Sequence, residues 1–172
     1  PSISADGRYV AFRSSASNLV DGDTNGYRDI FVRDRHSGLT ERVSVDSDGM
    51  QVNNSSTNPS ISIDGRYVSF DSDATNLVDG DTNLAADIFV RDRLIGLTER
   101  ISVHSDGTQA NNDSQYTGIS GDGRYVTFRS TASNLVDGDT NGRADIFLRD
   151  RLSGQTRRVS VDSLGTQAVR ES

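Results

Sequence analysis

Three stretches of the chain carry the same oxygen-bearing side chains at the same spacing: DGDTNGYRD (21–29), DGDTNLAAD (79–87) and DGDTNGRAD (137–145). The pattern is D-x-D-x-N-G-x-x-D, with Leu84 in the glycine position of the second copy. A hard cation such as Ca²⁺ takes six to eight oxygens at about 2.3–2.6 Å. A loop that curls around such an ion offers alternate side chains, so the first, third and fifth positions face it. The sixth must turn sharply, which glycine does without steric penalty. The seventh can give a backbone carbonyl, and the ninth closes the sphere. The candidate ligands are therefore Asp21, Asp23, Asn25, the carbonyl of Tyr27, and Asp29. The second set is Asp79, Asp81, Asn83, Ala85 and Asp87, and the third is Asp137, Asp139, Asn141, Arg143 and Asp145. This predicts one Ca²⁺ per loop, three in all. A leucine forced to positive φ loses on the order of 1 kcal/mol, so the second site is expected to be the weakest. Asp, Asn and Gly also build plain turns, but such a turn needs only two or three of them, not four oxygen donors at fixed spacing in three copies.

Little else in the chain has the makings of a reactive centre. There is no cysteine and no G-x-S-x-G nucleophile turn. His36 has Leu94 and Leu152 as counterparts, and His104 has Asp46 and Asp162, so neither recurs and both are expected on surface turns. The R-D-R triplets at 33–35, 91–93 and 149–151 read as a strand end plus a turn, with Asp34 capping and the arginines paired locally. Arg8, Arg66 and Arg124 are expected to make blade contacts. The net charge of −7 and the absence of any basic run argue against a nucleic-acid surface. Three calcium ions would bring that charge close to neutrality. No apolar run is long enough to insert a helix in a membrane.

These loops belong to a larger repeat. DGRYV recurs around Gly7, Gly65 and Gly123, a constant interval of 58 residues, without an insertion. The repeats run 1–58, 59–116 and 117–172. A period of this length signals a solenoid, a propeller or an array. Within one copy, PSISA (1–5), RYVAFRS (8–14), DIFVRD (29–34) and LTERVSV (39–45) read as four short strands. Asp6-Gly7 makes a hairpin turn, and 47–58 crosses to the next copy. The unbroken apolar run Ile30-Phe31-Val32 implies a strand covered on both faces. Helical periodicity is absent throughout. The fold class is all-β: three four-stranded antiparallel propeller blades, forming an incomplete ring or part of a larger one. Thin stacked modules also suit a chain with 33% hydrophobic and 6% aromatic residues.

PSISADGRYVAF, DIFVRDR and TERVSV resemble the PD40 (TolB-like, WD40-like) β-propeller repeat family across all three copies. The resemblance implies four-stranded blades around a channel, usually in bacterial extracytoplasmic proteins, and hence a secreted or periplasmic chain. The present repeats are longer because of the Asp-rich insertion. That insertion is locally similar to the calcium loops of integrin α-chain propellers, where an aliphatic residue follows the last aspartate as Ile30, Ile88 and Ile146 do here. It departs from an EF-hand loop at the twelfth position, where Val32, Val90 and Leu148 stand instead of glutamate.

Four to eight blades normally close a propeller. Three leave two uncovered faces, to be met by other copies of the chain or by further blades of a longer one. The first functional reading is a non-enzymatic, calcium-stabilised propeller serving as an extracellular binding or scaffold module, with a glycan or protein as a candidate ligand. A head-to-tail filament or surface-layer subunit is the structural alternative, and a channel-sited hydrolase the enzymatic one. The first segment of each repeat offers that channel only small polar groups.

Overall fold

The computed structural model describes residues 1–168 and consists of strands and loops without a helix. The first sheet holds β1 (Ser2–Ile3), β2 (Tyr9–Ser14), β3 (Asp29–Asp34) and β4 (Thr40–Arg42). The second holds β5 (Ser56–Ile61), β6 (Tyr67–Ser72), β7 (Asp87–Asp92) and β8 (Leu97–Arg100). The third holds β9 (Ser114–Ile119), β10 (Tyr125–Ser130), β11 (Asp145–Asp150) and β12 (Gln155–Arg158). Each sheet is antiparallel with its strands in chain order. The sheets stand side by side as three blades of an open, incomplete propeller, as the repeat pattern implied. No helix among the described residues is long and apolar enough to cross a membrane.

Two strand boundaries differ from the sequence reading. The outer strand stops at Arg42 instead of running to Val45, because the amides of Val43 and Ser44 both turn toward the carbonyl of Ile30. The side chains of Val43 and Val45 are nevertheless buried. The inner strands β5 and β9 start at Ser56 and Ser114, inside the stretch read as a crossover. Each is bulged against its neighbour, with Asn58 and Tyr116 at φ 48° and 58°. Near the centre the inner strands hydrogen-bond to one another across the blade boundaries. The Ile61 amide donates to Ser2 Oγ at 3.2 Å, and the Ile119 amide to Ser60 Oγ at 3.3 Å.

The hydrophobic core lies between blades. Tyr9, Ala11, Ile30, Val32 and Val43 of the first blade close on Ile61, Val68, Phe70 and Phe89 of the second. The same positions one repeat on, from Tyr67 and Ile88 to Phe128 and Phe147, close the second blade on the third. Ile88, Phe89 and Val90 of the middle blade are wholly buried, as Ile30, Phe31 and Val32 are in the first. Within each sheet a stacked phenylalanine pair spans β2–β3, β6–β7 and β10–β11, with centroids 5.9, 6.0 and 5.8 Å apart.

The glycines of DGRYV have a packing role as well as a turn role. Gly65 and Gly123 have positive φ, and a Cβ there would lie 2.2 Å from Tyr9 Cδ2 and 2.1 Å from Tyr67 Cδ2. Gly7 has a similar φ, but a Cβ there would meet only Arg35 Nη1 at 3.6 Å and Ile3 Cδ1 at 3.9 Å, ordinary contacts. Among the arginines, two of those in the R-D-R triplets differ from expectation. Arg8, Arg66 and Arg124 pair within their own blade, bidentate to Asp34, Asp92 and Asp150. Arg93 and Arg151 instead reach back across the blade boundary, over the rings of Tyr9 and Tyr67 to Glu41 and Glu99. The side chain must extend past its own hairpin to find a carboxylate, and the neighbouring blade supplies it.

Burial opposes ionisation of Asp92, but hydrogen bonds from Arg66 and the Leu94 amide outweigh it and hold the carboxyl below its ordinary range. A depressed folded pKa stabilises above the unfolded value of about 3.9, and that stabilisation is lost as pH falls through the folded pKa. Asp92→Asn is therefore expected to flatten the loss of stability below about pH 4 in acid titrations followed by circular dichroism. Gly123→Ala is expected to lower the melting temperature by more than Gly7→Ala. Both strain a positive φ, by about 1 kcal/mol, but only Gly123→Ala meets a ring.

Candidate metal centre

The Asp-rich loops connect the second strand of each blade to the third and fold against the crossover of the same blade. Gln51 ties them together: its Oε1 accepts from the Thr24 amide at 3.2 Å and its Nε2 donates to Thr24 Oγ1 at 2.7 Å. Gln109 and Gln167 repeat this with Thr82 and Thr140. The crossover then reaches the next loop, where Asn53 and Asn76 exchange hydrogen bonds with backbone and with Thr75. Loops and crossovers thus form one continuous polar belt on a single face.

Inside each loop the predicted ligands separate into two groups. Asp29 opens β3 and is fully buried. Its Oδ1 accepts from Ser44 Oγ at 2.6 Å and its Oδ2 from Asn25 Nδ2 at 2.9 Å. Asp23 lies close by, and a guanidinium lies against both: Arg42 Nη1 is 3.1 Å from Asp23 Oδ1 and 3.7 Å from Asp29 Oδ2. Arg100 stands 3.2 Å from Asp81 and 3.7 Å from Asp87. Arg158 stands 3.0 Å from Asp139 and 3.4 Å from Asp145. The other group lies outside this cluster. Asp21, Asp79 and Asp137 are exposed. The Oδ1 atoms of Asn25, Asn83 and Asn141 are engaged by the amides of Tyr27, Ala85 and Arg143 at 3.0, 3.0 and 2.9 Å. Leu84 adopts φ 57°, the conformation that Gly26 and Gly142 take at 72° and 61°.

As arranged, these residues do not fit a calcium ion. Two carboxylates per loop face a common centre, a guanidinium lies against them, and the asparagine oxygen is turned inward to its own loop. Among the described residues no three Asp, Glu, His or Cys side chains gather as a metal-holding group. The arrangement is a buried ion pair with hydrogen-bonded support. Its satisfaction is uneven: Asp81 Oδ1, Asp139 Oδ2 and Arg100 Nη1 are buried without a hydrogen-bond partner among the described residues. Burial raises the Asp87 carboxyl to about 6 despite hydrogen bonds from Ser102 and Asn83. Burial likewise pushes Asp29, Asp81 and Asp139 upward. The residues that sequence reasoning missed are Arg42, Arg100 and Arg158, with Gln51, Gln109 and Gln167 and the serines at 44, 102 and 160. Their signal was the same 58-residue interval, within TERVS, TERIS and TRRVS.

Blades with inner strands about a common centre, interblade cores and a polar loop belt define a β-propeller segment. Neither a protein-family model nor a curated protein sequence matches the chain. Its fold is similar to that of TolB from Acinetobacter baumannii, at 19% identity and a TM-score of 0.55, covering 96% of this chain and 32% of that one. A putative TolB from Agrobacterium tumefaciens is similar at 19% identity and a TM-score of 0.57, covering 91% and 47%. The β-propeller domain of the Trilobed protease from Pyrococcus furiosus, described as having an open velcro topology, is similar at 15% identity and 0.52, covering 91% and 40%. The chain thus spans between about a third and a half of these proteins' length.

Removing one guanidinium leaves two carboxylates buried and uncompensated. Arg100→Met is expected to destabilise the chain by about 3–5 kcal/mol in denaturant titrations, whether or not calcium is present.

Proposed function

We propose that the chain is a segment of a larger propeller in a bacterial extracytoplasmic protein, and that it acts as a binding or scaffold module without catalytic chemistry. The observation that carries this reading is the pair of bulged inner strands. Asn58 and Tyr116 hold positive φ where glycine would be unstrained, and both line an opening of about 730 Å³ with Pro1, Phe12, Arg13, Pro59 and Thr117. Strained backbone at a concave surface points to function. Tyr116 is 62% exposed and lines this opening with its ring accessible. These groups suit a ligand held by stacking and hydrogen bonds, such as an extended glycan or peptide. The extracytoplasmic setting follows from the PD40 resemblance, and the larger ring from the share of the similar propellers that the chain covers.

A second reading keeps calcium in the Asp-rich loops. It is favoured by the oxygen spacing and by the buried oxygens of Asp81 and Asp139 that accept no hydrogen bond among the described residues. It requires the arginine of each loop to swing away from its aspartates. Under the arginine-held reading the melting temperature is the same in EGTA and in millimolar calcium. A rise of several degrees with calcium, lost on chelation, would establish the second reading instead.

The binding reading is tested by capture on arrays of bacterial glycans and peptides. Tyr116→Ala is expected to reduce capture at least tenfold while leaving the melting temperature near that of the parent. Capture unaffected by the substitution, or chemical turnover of a captured chain, would overturn it.

A further inference from the structure

Each blade boundary is fastened at its rim by one repeated clasp. At the first boundary the Arg93 guanidinium lies 4.6 Å over the Tyr9 ring, pairs with Glu41 and donates to the Gly65 carbonyl. At the second, Arg151 lies 4.5 Å over Tyr67, pairs with Glu99 and donates to the Gly123 carbonyl. The clasp needs a tyrosine and a glutamate on one blade and an arginine on the next. Around it, Thr98 Oγ1 donates to the Val45 carbonyl at 2.6 Å and Thr156 Oγ1 to that of Val103 at 2.5 Å.

The two uncovered faces carry the same parts with one reversal. On the first blade Arg35 is already in the clasp pose, donating to the Gly7 carbonyl at 2.8 Å. On the third blade the tyrosine is present as Tyr125, 36% exposed beside an open recess of about 340 Å³. The glutamate is not: Arg157 stands where Glu41 and Glu99 stand two repeats and one repeat earlier, lining that same recess. It is exposed and donates to Gln155 Oε1 at 2.6 Å. The other carboxylate in the recess, Asp150, is already held bidentately by Arg124. The hydroxyl of Ser2 and Ser60, which receives the next blade's inner strand, is likewise lost at Gly118.

We propose that the outer face of the third blade docks a blade-type sheet carrying a carboxylate where the second and third blades carry Arg93 and Arg151. Arg157 selects for that carboxylate and refuses the first blade of a second copy, whose Arg35 would enter the recess against it. Like charges brought together in a desolvated seam disfavour the wrong partner strongly. The apolar face itself does not discriminate, since the blades are close copies; the clasp does.

Four charge combinations test this by sedimentation of the full chain over a range of concentrations at low salt. The parent pairs Arg35 with Arg157, and the double variant Arg35→Glu/Arg157→Glu pairs two glutamates; both are expected to stay monomeric. Arg157→Glu restores the clasp, and Arg35→Glu supplies the carboxylate that the native recess is built for. Each single variant is expected to associate head to tail at least tenfold more tightly than the parent, with the gain reduced by 0.5 M NaCl. Circular dichroism checks folding, and Arg157→Glu against the parent decides the matter if Arg35→Glu does not fold. A parent that associates as tightly as Arg157→Glu would overturn the proposal, and so would a folded Arg157→Glu that remains monomeric.

Discussion

Everything in this molecule depends on a four-stranded blade being apolar on both faces. A single blade has no interior; its interior is the gap between it and the next one. Phe70, Phe89 and Val68 of the middle blade find cover in Ala11, Ile30 and Val32 of the first, and the same positions recur between the second and third. Burial of such side chains contributes about 1.5–3 kcal/mol each, so stability is a property of boundaries. This is how a chain with few aromatic residues and no disulfide folds at all.

The polar parts then divide the labour by radius and by face. Near the centre, short backbone and serine contacts join inner strands. At one rim, Arg-Tyr-Glu clasps cross each boundary; on the opposite side of the hairpins, the Asp-rich loops and crossovers form a belt. The belt has its own internal cations, because Arg42, Arg100 and Arg158 come from the outer strand directly beneath the loops. Two carboxylates held at the start of a buried strand need a positive partner in low dielectric. A covalently attached guanidinium supplies one at no translational entropy loss, where a free ion must be taken from solution.

The uncovered faces are where the repeats stop being interchangeable. A perfect array of copies would join any end to any other, and heterologous contacts of that kind run on unless geometry closes them. Replacing Glu with Arg157 and Ser with Gly118 breaks the equivalence at one face only, while Tyr125 and the apolar residues around it persist. The face keeps its capacity to be covered and changes what can cover it.

The 58-residue interval, the DGRYV turns and the unbroken Ile-Phe-Val runs were enough to read the blades, their number, their strand order and their two-sided burial, because turn chemistry and apolar patterning are local. The positive φ at Leu84 was legible for the same reason: its neighbours in the other copies are glycines. What the chain order alone left open was which charged groups meet. Arg42 is 13 residues from Asp29 along the chain, and Arg93 is 52 from Glu41, so spacing within a loop could not reveal either pair. The bulges that turn Asn58 and Tyr116 inward arise from a register mismatch between neighbouring strands, which only the assembled sheet produces. Oxygen donors in sequence suggested a cation; only the packed fold brings a guanidinium from the adjacent strand against them, because the outer strand lies 13 residues away in the chain but directly beneath the loop.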